Sequence, residues 1–139
     1  MAVIASLQRF AFKDETTEEE RVEVLAAFRR TASVESVAFS TVGRDLGDPA
    51  EGFTHAYFCA IADLAALERY MHDPVHLAGD FVILPRLARL IAVRFSDDSS
   101  PDPADAIAAI YQAKVQKYPE WEEMLNAIPD VKVAVESTR

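Results

Sequence analysis

The stretch Phe53-Thr54-His55-Ala56-Tyr57-Phe58-Cys59-Ala60-Ile61, followed by Ala62-Asp63-Leu64-Ala65-Ala66-Leu67-Glu68-Arg69-Tyr70-Met71-His72-Asp73-Pro74, decides the fold. Its first nine residues are uncharged, apolar and aromatic, and they read as a strand. Asp63 is a good N-cap, and Leu64, Leu67 and Met71 recur at helical spacing, so a helix runs to about His72. Pro74 reads as its end, because the residue before a proline avoids the helical region. After Gly79 the sequence predicts only a short helical turn through Leu84 to Ala88, and then a strand from Arg89 to Phe95.

Working towards the N-terminus, the loop Gly43 to Gly52 leads back to a strand over Val34 to Val42. Before that, Thr17 with Glu18, Glu19 and Glu20 marks a helix start with a capping box and an acidic first turn. Val22, Leu25, Phe28 and Ala32 give that helix one apolar face. Val3 to Phe12 is the first strand. The order strand, helix, strand, strand, helix, strand is the split βαβ arrangement, so the fold class is α+β and ferredoxin-like. A four-stranded antiparallel sheet with helices on one face leaves its other face bare, and a partner sheet is expected there.

Towards the C-terminus, Ser96 to Pro103 reads as a linker rich in Ser, Pro and Asp. Ala104 to Lys117 reads as a helix with Ile107, Ile110, Tyr111 and Val115 along one stripe. Pro119 opens a second short helix carrying Trp121, Met124, Leu125 and Ile128, and Val131 to Val135 reads as a short strand. The chain thus divides into a domain over 1–96 and a linker with helical extension over 97–139. The extension is too apolar for a solvated appendage, so it is expected to pack on the dimer, over the barrel mouth or across onto the partner.

Half of the 139 residues are hydrophobic and 27% are charged, the composition of one globular domain. Cys59 is the lone cysteine, so an internal disulfide is excluded and a Cys-based zinc site is not expected. That suits a reducing cytoplasm, and Met1 to Phe12 lacks the basic start and apolar run of a signal peptide. No stretch approaches the roughly 20 apolar residues that span a bilayer. The net charge of −9 divides into −4 over 1–96 and −5 over 97–139. With no Lys/Arg cluster to offset it, nucleic acid and anionic membrane are poor partners.

Three segments carry a resemblance. They are Phe10-Ala11-Phe12-Lys13-Asp14, Glu51-Gly52-Phe53-Thr54-His55, and Tyr70 followed after three residues by Pro74 and then His76. Together they resemble the stress-responsive dimeric α/β-barrel family over about residues 1–96. The resemblance implies a homodimer whose two sheets pack into one barrel. It also implies relatives that include polyketide cyclases and a hydroxynitrile lyase, working without metal or organic cofactor. In the cyclases, residues matching Tyr70 and His76 act as an acid–base pair, and one matching His55 lines the pocket. The sequence departs from the family at Ser6, where some members carry histidine, and at Asp73, where histidine is frequent, and the tail from Ala104 has no counterpart in the minimal domain.

Chemistry gives these residues roles. A neutral imidazole at His76 can take a proton from a carbon beside a carbonyl, and Tyr70 can donate to the developing oxyanion. The structural alternative for His76 is that it bonds the free carbonyls at a helix end. The alternative for Tyr70 is a packed core ring. Phe53, His55, Tyr57 and Cys59 share strand parity, and Phe53, His55 and Tyr57 are candidates for substrate binding. His72 suits a helix C-terminus as a dipole-favoured cation, and Asp73 a helix-end turn. No metal site is expected, since Pro74 separates His72 from His76.

The leading expectation is a cofactor-independent cyclase or lyase acting on a small carbonyl or polyketide-like substrate. One alternative is a non-catalytic stress-response or scaffold homodimer. Another is a cofactor-free monooxygenase on an aromatic substrate. The interior discriminates among them: an apolar pocket of roughly a few hundred Å³ bordered by Tyr70 and His76 favours an enzyme, and a filled core favours the scaffold.

Overall fold

A computed structural model of the chain describes residues 3–97 and 103–133. The elements are β1 (Ile4–Phe12), α1 (Glu18–Ala32), β2 (Val37–Arg44), β3 (His55–Ile61), α2 (Leu64–His72), α3 (Pro74–Ile83), β4 (Leu87–Ser96), α4 (Pro103–Lys117), α5 (Pro119–Asn126) and β5 (Asp130–Val133). This is the expected ferredoxin-like α+β fold. Thr17 forms the full capping box with Glu20, with its hydroxyl accepting from the Glu20 N–H at 3.1 Å and the Glu20 carboxylate accepting from the Thr17 N–H at 2.9 Å. β2 starts at Val37 rather than Val34, because Val37 N–H first donates to the Val34 carbonyl in a turn.

The sheet order is β2-β3-β1-β4-β5. β1 is central and pairs antiparallel with both β3 and β4. The four expected strands gain a fifth from the tail, as β5 pairs parallel with the outer edge of β4, setting Val131 opposite Leu90. The last two residues expected in that strand, 134 and 135, lie outside the described residues. Register and pleat place Ile4, Ser6, Gln8 and Phe10 on one face with Tyr57, Cys59, Ile61, Leu90 and Ala92. That face carries the helices. Phe10, Val24, Tyr57, Ile61 and Leu87 are fully buried there.

The tail folds onto its own domain. α4 packs on α2, and α5 on α3. Ala108, Tyr111, Trp121, Leu125 and Ile128 are buried, and all but Ala108 belong to the one apolar core. Among the described residues nothing covers the opposite sheet face. It exposes Phe39, Val93 and Phe95.

Candidate active site

Asp73 builds the corner on which the site depends. Its backbone is extended, at φ −65° and ψ 128°, which ends α2. Its carboxylate accepts from the Val75 N–H at 2.9 Å and so caps α3, with Pro74 in the first helical position where no donor is needed. Pro74 therefore opens a ten-residue helix, α3, where the sequence reads only the end of α2 and, after Gly79, a short helical turn. The proline rule held for Asp73, but the chain turns from one helix directly into the next.

His76 thus sits in the first turn of α3, buried beside the end of α2. Its Nδ1 lies 2.8 Å from the Tyr70 carbonyl oxygen. A carbonyl only accepts, so Nδ1 carries the proton and Nε2 keeps its lone pair. The structural and catalytic readings of His76 accordingly use different nitrogens. Nε2 lies 3.4 Å from Asp80 Oδ2, one helical turn on. Burial lowers the His76 pKa to about 4; Asp80 opposes this and Lys114 adds to it. The imidazole is therefore neutral at pH 7.

The Tyr70 ring stacks beside His76 with centroids 4.2 Å apart. Its hydroxyl is 3.1 Å from that of Tyr57. Burial raises the pKa of both phenols, so both keep their protons. When Tyr57 donates to Tyr70, the Tyr70 proton is free to point elsewhere.

Tyr70 and His76 line one interior cavity of about 50 Å³ between the sheet and the helices. Ser6, Gln8, Cys59 and Arg94 come from the sheet, and Asp80 from α3. The tail adds Tyr111, Lys114, Trp121, Leu125 and Val133 to the lining. Lys114 is fully buried, with Nζ 4.3 Å from the centre of the Trp121 ring and 3.6 Å from Asp80 Oδ2. Trp121 Nε1 donates to the same oxygen at 2.9 Å.

The other predicted site residues lie elsewhere. Tyr57 supports Tyr70 from behind and is not in the cavity wall. His55 stacks on Phe10, with centroids 5.7 Å apart, meets Phe12 edge-on at 5.3 Å, and shares a hydrogen bond with Thr54 at 2.9 Å. Phe53 precedes β3, so its strand parity with His55 does not apply. It is gripped by the guanidinium groups of Arg9, at 4.5 Å, and Arg89, at 4.7 Å, both from strand positions on the uncovered face. His72 meets Tyr118 of the tail, with Nδ1 3.3 Å from the hydroxyl. Among the described residues no cluster of His, Cys, Asp and Glu has the form of a metal site. Among the described residues no helix is long and apolar enough to cross a membrane.

Three residues of this site escaped the sequence reading. Asp80 has a signal, since His76 and Asp80 are four apart on a helix, but only once Pro74 is read as a helix start. Lys114 and Trp121 have none, because nothing local tells a buried lysine from a solvated one.

The model of the stress-responsive A/B barrel domain matches residues 4–97. The chain belongs to the stress-responsive A/B barrel family. Solved structures agree with that assignment. A dimeric ferredoxin-like protein of unknown function from Thermobifida fusca is 25% identical, with a TM-score of 0.61 over 68% of this chain and 90% of that one. The hydroxynitrile lyase of Passiflora edulis shares the fold at 17% identity, with a TM-score of 0.63 over 72% of this chain and 97% of that one. A family protein from Mesorhizobium loti is 20% identical, with a TM-score of 0.60 over 68% and 96%. No match was found among curated proteins. The A/B barrel match ends at residue 97, so Lys114 and Trp121 lie outside the family domain.

Chemically, the arrangement pairs an unprotonated nitrogen with a phenol that retains its proton. Such a pair can accept a proton at His76 Nε2, beside the Asp80 carboxylate, and offer the Tyr70 O–H to an oxygen that gains charge.

Proposed function

We propose that this A/B barrel protein is a homodimeric, cofactor-independent lyase acting on a small carbonyl adduct, with His76 as base and Tyr70 as hydrogen-bond donor to oxygen. The observation that carries this reading is that both side chains line one cavity while His76 Nε2 is left unprotonated. In the cleavage direction, Nε2 takes the hydroxyl proton of the adduct. The C–C bond breaks, the carbonyl forms, and the bonding pair leaves with the carbanion, which recovers the proton from the imidazolium. The hydroxynitrile lyase of Passiflora edulis, similar in fold, supports this class. A polyketide-sized chain needs more room than about 50 Å³, so a lyase is favoured over a cyclase.

The test is cleavage of small adducts, acetone cyanohydrin and diacetone alcohol, followed by release of acetone. His76→Ala and Tyr70→Phe are each expected to lower turnover by about 10²-fold or more with the fold intact. Equal turnover in wild type and both variants, or none with either compound, counts against the reading.

The small cavity also favours a second reading, a non-catalytic scaffold homodimer in which His76 ties α3 to the end of α2. Under it, His76→Ala lowers the melting temperature and no small carbonyl compound binds.

A further inference from the structure

The tail brings a charge into the cavity that neither His76 nor Tyr70 accounts for. Lys114 is 0% exposed, and among the described residues its Nζ makes no hydrogen bond. The Asp80 contact, at 3.6 Å, is ionic only. That carboxylate oxygen already accepts from Trp121 Nε1 at 2.9 Å and faces His76 at 3.4 Å. The indole face of Trp121 holds the ammonium by a cation–π contact and donates nothing to it. A buried ammonium with unused donors is costly unless an acceptor completes it. The cavity it lines, about 50 Å³, holds on the order of four waters, or a ligand of similar size.

We propose that Lys114 is a specificity-determining residue that binds the carboxylate of a small oxo acid or its adduct in the cavity beside Tyr70 and His76. This rests on the reading of that cavity as a substrate site. It makes the substrate anionic, and it makes the tail part of the site rather than only its cover. A carboxylate at Nζ takes up the unused N–H donors and supplies the counter-charge that Asp80, shared with Trp121 and His76, gives only in part. Lysine suits this position as a compact cation on a long apolar stem, with Trp121 as its wall. Burial lowers the Lys114 pKa, and a bound carboxylate is expected to raise it again.

The experiment compares pyruvate with 2,3-butanedione, which replaces the carboxylate by an uncharged acetyl group of similar shape. Binding is read by ligand-observed NMR and titration on the full chain. Wild type is expected to bind pyruvate at least about tenfold more tightly than butanedione, and Lys114→Met to remove that preference while still binding butanedione. Should Lys114→Met not fold, the ¹⁵N resonance of Lys114 Nζ in the wild type serves instead, and it must shift on adding pyruvate and not on adding butanedione. Equal affinity for the two compounds in wild type, a preference that survives in Lys114→Met, or an unmoved Nζ resonance overturns the proposal. Retained preference in Lys114→Met alongside loss of turnover in His76→Ala sinks Lys114 and leaves the lyase standing. Lost preference with no turnover on any adduct does the reverse.

Discussion

At His76 one imidazole serves two elements with two nitrogens. Nδ1–H fastens α3 to the last turn of α2, and Nε2 faces Asp80 and the cavity. The pH dependence follows from the same burial. The folded pKa of about 4 lies below the ordinary 6.5, so between those values the unfolded chain binds more protons. Stability therefore falls as pH drops from 6.5 towards 4, and His76 adds no pH dependence above 6.5, where it is neutral in both states. The loss should be on the order of 2–3 kcal/mol by pH 4, and His76→Gln should flatten that part of the profile in urea titrations. An unchanged profile in the variant would show that the imidazole is not held neutral. For turnover, the same value places the acid limb of kcat/KM near pH 4 rather than 6.5.

Between elements, α3 approaches α1 closely at Gly79. A Cβ at Gly79 would lie 2.7 Å from Thr31 Oγ1, a buried hydroxyl without a partner among the described residues. Gly79→Ala should cost about 1–3 kcal/mol by overpacking. Thr31→Ala should itself be nearly neutral, since it removes an unsatisfied buried group, and should recover part of the Gly79→Ala cost. Additive behaviour in the double mutant would place the strain elsewhere. The register of these elements was legible where local chemistry fixes it: Thr17 and Glu20 start α1, Asp63 starts α2, and alternation orders Tyr57, Cys59 and Ile61 towards the helices. It was misread at Pro74, where the same residue that ends one helix suits the first position of another, and only the Asp73 side chain decides. Reading a loop there hid the helical spacing of His76 and Asp80. The parity that grouped Phe53 with His55 failed because the strand begins after Phe53. The Arg9 and Arg89 contacts that hold Phe53 come from positions distant in sequence, which local pattern does not report.

Across the whole molecule, the tail and the bare sheet face act on opposite sides. Tyr111, Trp121, Leu125 and Ile128 of the tail are buried in the common core. At roughly 1.5–3 kcal/mol for each large side chain, their loss is comparable to the whole stability of a domain. Truncation after Ser99 should therefore abolish a cooperative melt and expose surface to a hydrophobic dye; an unchanged melting temperature would show that the domain stands without its tail. The other side concerns assembly. Register sets Phe39, Ala60, Ala5 and Phe95 in one row across the uncovered face, and Thr41, Phe58, Leu7 and Val93 in the next. Phe39 is 61% exposed, Val93 51% and Phe95 58%, so the described residues leave large apolar side chains of β2 and β4 open to water on this face. A second copy with the same face would cover it by a two-fold interface, without calling on any residue of the cavity. The full chain should then have twice the mass of 15.4 kDa by light scattering at micromolar concentration. Phe39→Asp combined with Val93→Asp places two carboxylates per chain in that interface, where burying unpaired charge costs several kcal/mol. The double variant should run as a monomer that keeps its helical circular dichroism, and a dimeric mass for it would mean that the copies meet through some other surface.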